Sequence, residues 1–162
     1  MRLSIILIVI SLCIAIVLPS SAKPGNGEEQ NDTQYAITHD QIVQLTDNFM
    51  DILVQKTDEN YQVKDHHNKA SLIEVFKSVI SEEVVKPYVD YYFHEKNGAL
   101  YIIPTETPPW FDKQNEYDVI QLENNKVLVQ QKNQSELYGD YSLEIEFTFA
   151  DQEWKITNIT HQ

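Results

Sequence analysis

The chain has 162 residues, with 25 acidic side chains against 12 basic ones, five histidines and one cysteine. A field this acidic repels nucleic acid and anionic lipid headgroups, so a nucleic-acid role is excluded on charge. The length suits one domain with its own core, and a single cysteine rules out a disulfide-stapled scaffold.

Arg2 is the whole positive n-region, and residues 3–18 follow as an apolar run broken only by Ser4 and Ser11. Pro19, Ser20, Ser21 and Ala22 then supply the small residues of a signal-peptidase site. The pattern predicts a signal peptide over residues 1–22 and a secreted or extracytoplasmic protein. The apolar run of 16 residues is shorter than the roughly 20 that span a bilayer, so cleavage is favoured over an uncleaved anchor, the one way this chain would engage a membrane. Cys13 does not sit in a lipobox, because Leu12 precedes it and residues 14–18 continue the apolar run. Cleavage would leave 140 residues without arginine or cysteine, in which 11 lysines face 25 acidic groups for a net charge of −14. The absence of arginine removes the bidentate fork used to recognise phosphate and carboxylate.

Residues 23–37 are polar and read as a flexible linker, with the folded domain over residues 38–162. Thr38 and Gln41 form a capping-box pattern, and Ile42, Leu45, Phe49, Ile52 and Leu53 recur at helical spacing. A long amphipathic helix is expected over residues 40–60. A polar break at residues 65–69 precedes a second apolar pattern in Leu72, Val75, Phe76, Val79 and Ile80. Ser81 is placed to cap a further helix. Pro87 predicts a break near Lys86, with a last turn or two running through Tyr88, Val89, Tyr92 and Phe93.

Asn97-Gly98 is a turn signal, after which the chain reads as strands: residues 101–105, 117–122 and 126–132, the last two joined by a turn at residues 123–125. Tyr141, Leu143, Ile145, Phe147 and Phe149 alternate with Ser142, Glu144, Glu146 and Thr148, as in a strand with one buried face. Residues 150–153 turn the chain into a final strand beginning at Trp154. Helices first and an antiparallel meander last define an α+β fold, with N-terminal helices packed on a curved antiparallel sheet.

This order, together with the terminal hairpin of residues 141–149 and 153–159, resembles the nuclear transport factor 2-like superfamily, which includes ketosteroid isomerase-like enzymes and many non-catalytic exported domains. In detail the chain is similar to an uncharacterised family of secreted proteins from spore-forming Gram-positive bacteria. The resemblance covers residues 38–160. It implies a cone-shaped, cystatin-like roll with a pocket between sheet and helices, and no particular reaction.

The relatives' catalytic positions have no motif counterpart here, so candidate groups come from these residues alone. Asp90 and His94 at i, i+4 on a helix would form an acid/base pair next to Tyr91, against the alternative of an ordinary surface pair. Glu144 and Glu146 share a strand face roughly 7 Å apart, a separation some carboxylate pairs use; alternation places them on the solvated face instead. Tyr101, Trp110 and Tyr117 cluster with Phe111 around a proline-rich loop as candidate ligand-binding aromatics, against the alternative that the loop's aromatics cap the core, and Tyr91 at the end of the helical half is a further candidate. His66-His67 lacks a second ligand cluster, so neither a metal site nor a cofactor is expected. Sequons begin at Asn31, Asn133 and Asn158, and only a eukaryotic secretory route would use them. The leading expectation is a non-catalytic module binding a small ligand, an envelope component or a partner protein. The alternative is an isomerase-like or hydrolytic enzyme with its acid/base in the cone pocket, and a third reading is a homodimer formed through the sheet.

Overall fold

The computed structural model describes residues 35–162. The predicted signal segment and residues 23–34 of the predicted linker lie outside them. Three helices precede six strands: α1 (His39–Leu53), α2 (Lys69–Phe76), α3 (Glu82–Tyr92), β1 (Phe93–Lys96), β2 (Ala99–Ile102), β3 (Asp118–Glu123), β4 (Lys126–Ser135), β5 (Gly139–Ala150) and β6 (Glu153–His161). The fold is α+β as expected, with two antiparallel sheets instead of one. β1 and β2 form a hairpin, and β3-β4-β5-β6 form a meander in sequence order.

The capping box forms as read: Thr38 Oγ1 accepts from the Gln41 backbone N–H, and the Gln41 side chain accepts from the Thr38 N–H. Ile42, Thr46, Phe49 and Leu53 are the buried stripe of α1. The helix stops at Leu53, seven residues short of the expected end, because the next positions on that stripe are Lys56 and Thr57. The following segment instead folds back. The Asp58 carboxylate accepts from the N–H groups of Asn60 and Gln62, Tyr61 takes a φ of 66°, and residues 61–63 bond to the β2 backbone through Tyr61 O and Val63 N.

Asn68 caps α2 by accepting from the Ser71 N–H. Leu72 and Phe76 are buried, whereas Val75 faces solvent. Ser81 holds the N-cap position of α3 without a side-chain capping bond; its backbone N–H instead donates to Ile156 O. Contrary to the expected break, Pro87 sits inside an unbroken α3. Proline removes one donor, and Pro87 and Glu83, whose carbonyl loses that donor, both lie on the exposed side of the helix, where solvent replaces the bond.

The last expected helical turn is also different. Phe93 leaves the helix with extended φ and ψ and opens β1. Asn97 and Gly98 both adopt positive φ, 54° and 73°, the two-residue turn whose twist matches a hairpin, so the residues on both sides pair as strands. β2 accordingly spans Ala99–Ile102 and not residues 101–105. The strands β3, β4 and β5 lie where the alternation put them, with β4 extended to Ser135 and the β5–β6 turn made by Asp151 and Gln152 at positive φ.

Inward residues of β4, β5 and β6 (Val127, Val129, Leu143, Ile145, Phe147, Trp154 and Ile156) join the buried stripes of the three helices in one core. The α2–α3 connection is tied to the edge of β6: Ile156 N–H donates to Val79 O, and Ser81 N–H to Ile156 O. Tyr35, expected in the flexible linker, is docked, its N–H donating to Asn124 O and its ring stacked on Phe149 at 4.2 Å.

Candidate functional site

The space between helices and sheet, where the family resemblance implies a pocket, holds the chain's own aromatic rings. Phe49 is fully buried, with its ring 4.5 Å from Trp110 in a stacked pair, 5.2 Å from Tyr88 edge-on and 5.5 Å from Phe76. Trp110 is held there because its indole N–H donates to Thr46 O in α1 at 3.1 Å. Trp110 thus follows the core-capping reading. The buried polar side chains of the described residues are Thr46, Gln131 and Asn133, none of them titratable.

Gln131 and Asn133 form the chemically distinctive part of the molecule. Alternation along β4 puts them on the same inward face as Val127 and Val129, but past the reach of the helices. There they bind the loop that leads into β3. The Gln131 amide accepts from Asp112 N–H at 2.9 Å and donates to Asp112 O at 2.7 Å and Asn115 O at 3.2 Å. Asn133 donates to Gln131 Oε1 and accepts from the Asn115 side chain. Tyr141 O–H donates to Trp110 O at 2.9 Å from the neighbouring strand. Gln131 and Tyr141 were not singled out from the sequence as functional candidates, and Asn133 figured only as the start of a sequon, although an inward amide beyond two inward valines was a signal. A glycan at the Asn133 sequon would have no room beside these contacts.

Next to this network the surface opens into a broad concavity of about 1380 Å³. Asn115 and Tyr117 from the loop, Gln130 and Lys132 from β4, and Tyr141 and Glu144 from β5 contribute to its lining. Glu144 accepts from Gln130 Nε2 at 2.7 Å, and Glu146 accepts from Asn158 at 3.3 Å. Both carboxylates lie on the sheet face away from the core, as alternation predicts. Tyr117 is fixed by a 2.7 Å hydrogen bond between its hydroxyl and His39 Nδ1, and its ring meets Phe111 edge-on.

The other candidates are dispersed. Asp90 and His94 do not share a helix, because His94 belongs to β1. Asp90 pairs with Lys69 at 3.1 Å on an exposed surface, a contact worth at most about 1 kcal/mol. His94 stacks across the hairpin on Tyr101, its partner in register, and Tyr101 O–H donates to Gln62 at 3.4 Å. Tyr91 is 63% exposed and meets Tyr92 edge-on. Tyr117 and Glu144 are the candidates that line the concavity. Among the described residues, no group of three or more His, Cys, Asp or Glu side chains converges as a metal site would require.

One titrating contact lies at the end of β6, where His161 Nε2 is 3.1 Å from the Tyr88 hydroxyl. Burial lowers the His161 pKa from its usual 6.5, and burial with the neighbouring Tyr92 pushes Tyr88 up to about 12. The folded state therefore resists protonation of His161. Its contribution is fully present above pH 6.5 and is lost as pH falls below that value. Thermal unfolding between pH 5 and 7.5 should show a fall in Tm on the acid side that is smaller in His161→Gln. An identical pH profile for the two chains would refute this.

No protein-family model matches the chain, and no curated protein is significantly similar to it.

Proposed function

We propose that the protein is an exported, non-catalytic binding module of the cell envelope, built on the nuclear transport factor 2-like plan, which takes a hydroxyl-rich ligand such as an envelope glycan on its open concavity. The observation that carries this reading is the filling of the interior by Phe49, Tyr88 and Trp110, beside which the outer concavity offers a broad open surface for a ligand. Its chemistry suits hydroxyl groups. Amides of Asn115 and Gln130 offer both donors and acceptors, Lys132 offers donors, and Tyr117 and Tyr141 offer apolar faces with polar tips. Export is supported by the n-region, apolar run and small-residue site of residues 1–22. The order of helices followed by a meander supports the superfamily.

Titrating the isotopically labelled protein with solubilised cell-wall glycan fragments, and following amide shifts by NMR, tests the reading. Saturable shifts are expected at Asn115, Gln130 and Lys132, with weaker binding in Gln130→Ala. Shifts centred on Phe49 and Trp110, or recovery of chemically altered fragments, would overturn it.

A further inference from the structure

The four-stranded sheet has two edges, and the fold treats them differently. On β6 the α2–α3 connection covers the edge at Ile156, which is bonded to both Val79 and Ser81. At the opposite edge, β3 has β4 as its strand neighbour among the described residues, and all six of its residues are exposed. Val119 is 49% exposed, Ile120 40% and Leu122 45%. An open edge presents a row of backbone donors and acceptors that can pair with another chain, and proteins commonly guard it with lysine or proline. β3 has neither. Its charges are Asp118 and Glu123, one at each end, and the lysine of the hairpin, Lys126, pairs with Glu123 at 3.4 Å.

These features select the occupant. A second copy pairing antiparallel about the middle of β3 would set Asp118 against Glu123 of the second copy at both ends. Like charges directly opposite are destabilising, and two strongly acidic chains repel at longer range as well. A strand with basic ends meets the opposite situation, since its charges would lie against carboxylates roughly 17 Å apart along the edge. We propose that the β3 edge docks an extended segment of a partner protein, with alternating apolar residues and lysine or arginine at its ends, as an added strand antiparallel to β3. Backbone pairing supplies the attachment, Val119 and Ile120 receive apolar side chains on the two faces, and Asp118 and Glu123 set the charge preference. This interface meets the concavity at Asp118, whereas Val119, Ile120 and Glu123 lie outside its lining, and strand pairing there does not depend on a glycan.

The test uses the full chain as expressed and the capped peptide Lys-Lys-Val-Thr-Val-Thr-Val-Lys-Lys. Two control peptides carry glutamate for every lysine, or proline for the central valine with all charges kept. Amide shifts in NMR titrations should map to β3, and the lysine peptide should bind about tenfold or more tightly than either control. Val119→Lys, a change at a half-exposed position, should weaken binding about tenfold while leaving Tm unchanged. The proposal is overturned by equal binding of the proline peptide, which would reveal charge attraction without strand pairing. It is equally overturned by shifts away from β3, by unaltered affinity in Val119→Lys, or by a dimer in sedimentation equilibrium that Val119→Lys converts to monomer.

Discussion

Phe49→Ala should destabilise the fold by about 3–5 kcal/mol, the cost of truncating a buried phenylalanine into a cavity that its neighbours cannot close. Collapse is difficult here because the neighbours are themselves anchored. Trp110 is tied to Thr46 O, Phe76 ends α2 within the core, and Tyr88 belongs to α3 and holds its hydroxyl near His161. Each ring lost from contact with Phe49 also forfeits a favourable aromatic geometry, worth about 0.5–1.5 kcal/mol beyond burial. For a fold of this size the change corresponds to a fall in Tm of about 10 °C or more. Leu137→Ala is the matched control. Leu137 is 60% exposed, and its truncation should move stability by no more than about 0.5 kcal/mol. Thermal melts read by circular dichroism distinguish the two. A Phe49→Ala chain that melts within about 3 °C of the parent would mean that the interior is loosely filled and can hold a ligand after all.

The same packing explains which parts of the architecture can be read from the chain. The alternation of residues 141–149 identifies β5 because helices cover only one of its faces, so the sequence had to be amphipathic there. Thr38 and Gln41 announce the start of α1 because both halves of the capping box are local. The end of α1 is less legible. No glycine or proline interrupts residues 54–60, and what stops the helix is the loss of its apolar stripe together with pairing of residues 61–63 to β2, a distant contact. β1 was obscured for a related reason: Tyr92 and Phe93 suit a buried helix face as well as a strand. Asn97-Gly98 was the clue, since a turn with two positive φ values calls for strands on both sides.

Candidate groups divide along the same line. The outward placement of Glu144 follows from strand alternation. The assumed pairing of Asp90 with His94 rested on a helix continuing where β1 in fact begins, so their spacing lost its meaning. Gln131 was legible as an inward position of the expected strand, whereas Asn133 lay past its expected end at Lys132, and the network was not legible because its partners Asp112 and Asn115 sit in a loop whose sequence has no periodicity to place it.

Gln131→Leu tests that network and should cost about 2–4 kcal/mol, even though the substitution nearly conserves volume. Gln131 is 2% exposed and its amide satisfies Asp112 N–H, Asp112 O and Asn115 O while accepting from Asn133. Leucine fills the space but takes the Gln131 partner from Asp112 N–H and Asn115 O, while Asp112 O keeps the Asn115 N–H; a backbone donor shut away from water costs about 1–3 kcal/mol. Asn133→Leu breaks a neighbouring part of the same network. The double variant should therefore cost less than the sum of the single ones, by about 1 kcal/mol, because the second substitution removes a partner already lost. Urea titrations of the four chains give this cycle directly. Trp110 provides an independent reading: its carbonyl is held by Tyr141 and its ring by Phe49, so loosening the loop should shift tryptophan emission to the red in Gln131→Leu before unfolding begins. Strict additivity with unchanged emission would show that the loop is held by its aromatic contacts alone. Since Asn115, Tyr117 and Tyr141 line the concavity, a ligand bound there should partly restore the stability of Gln131→Leu, because binding selects the ordered loop.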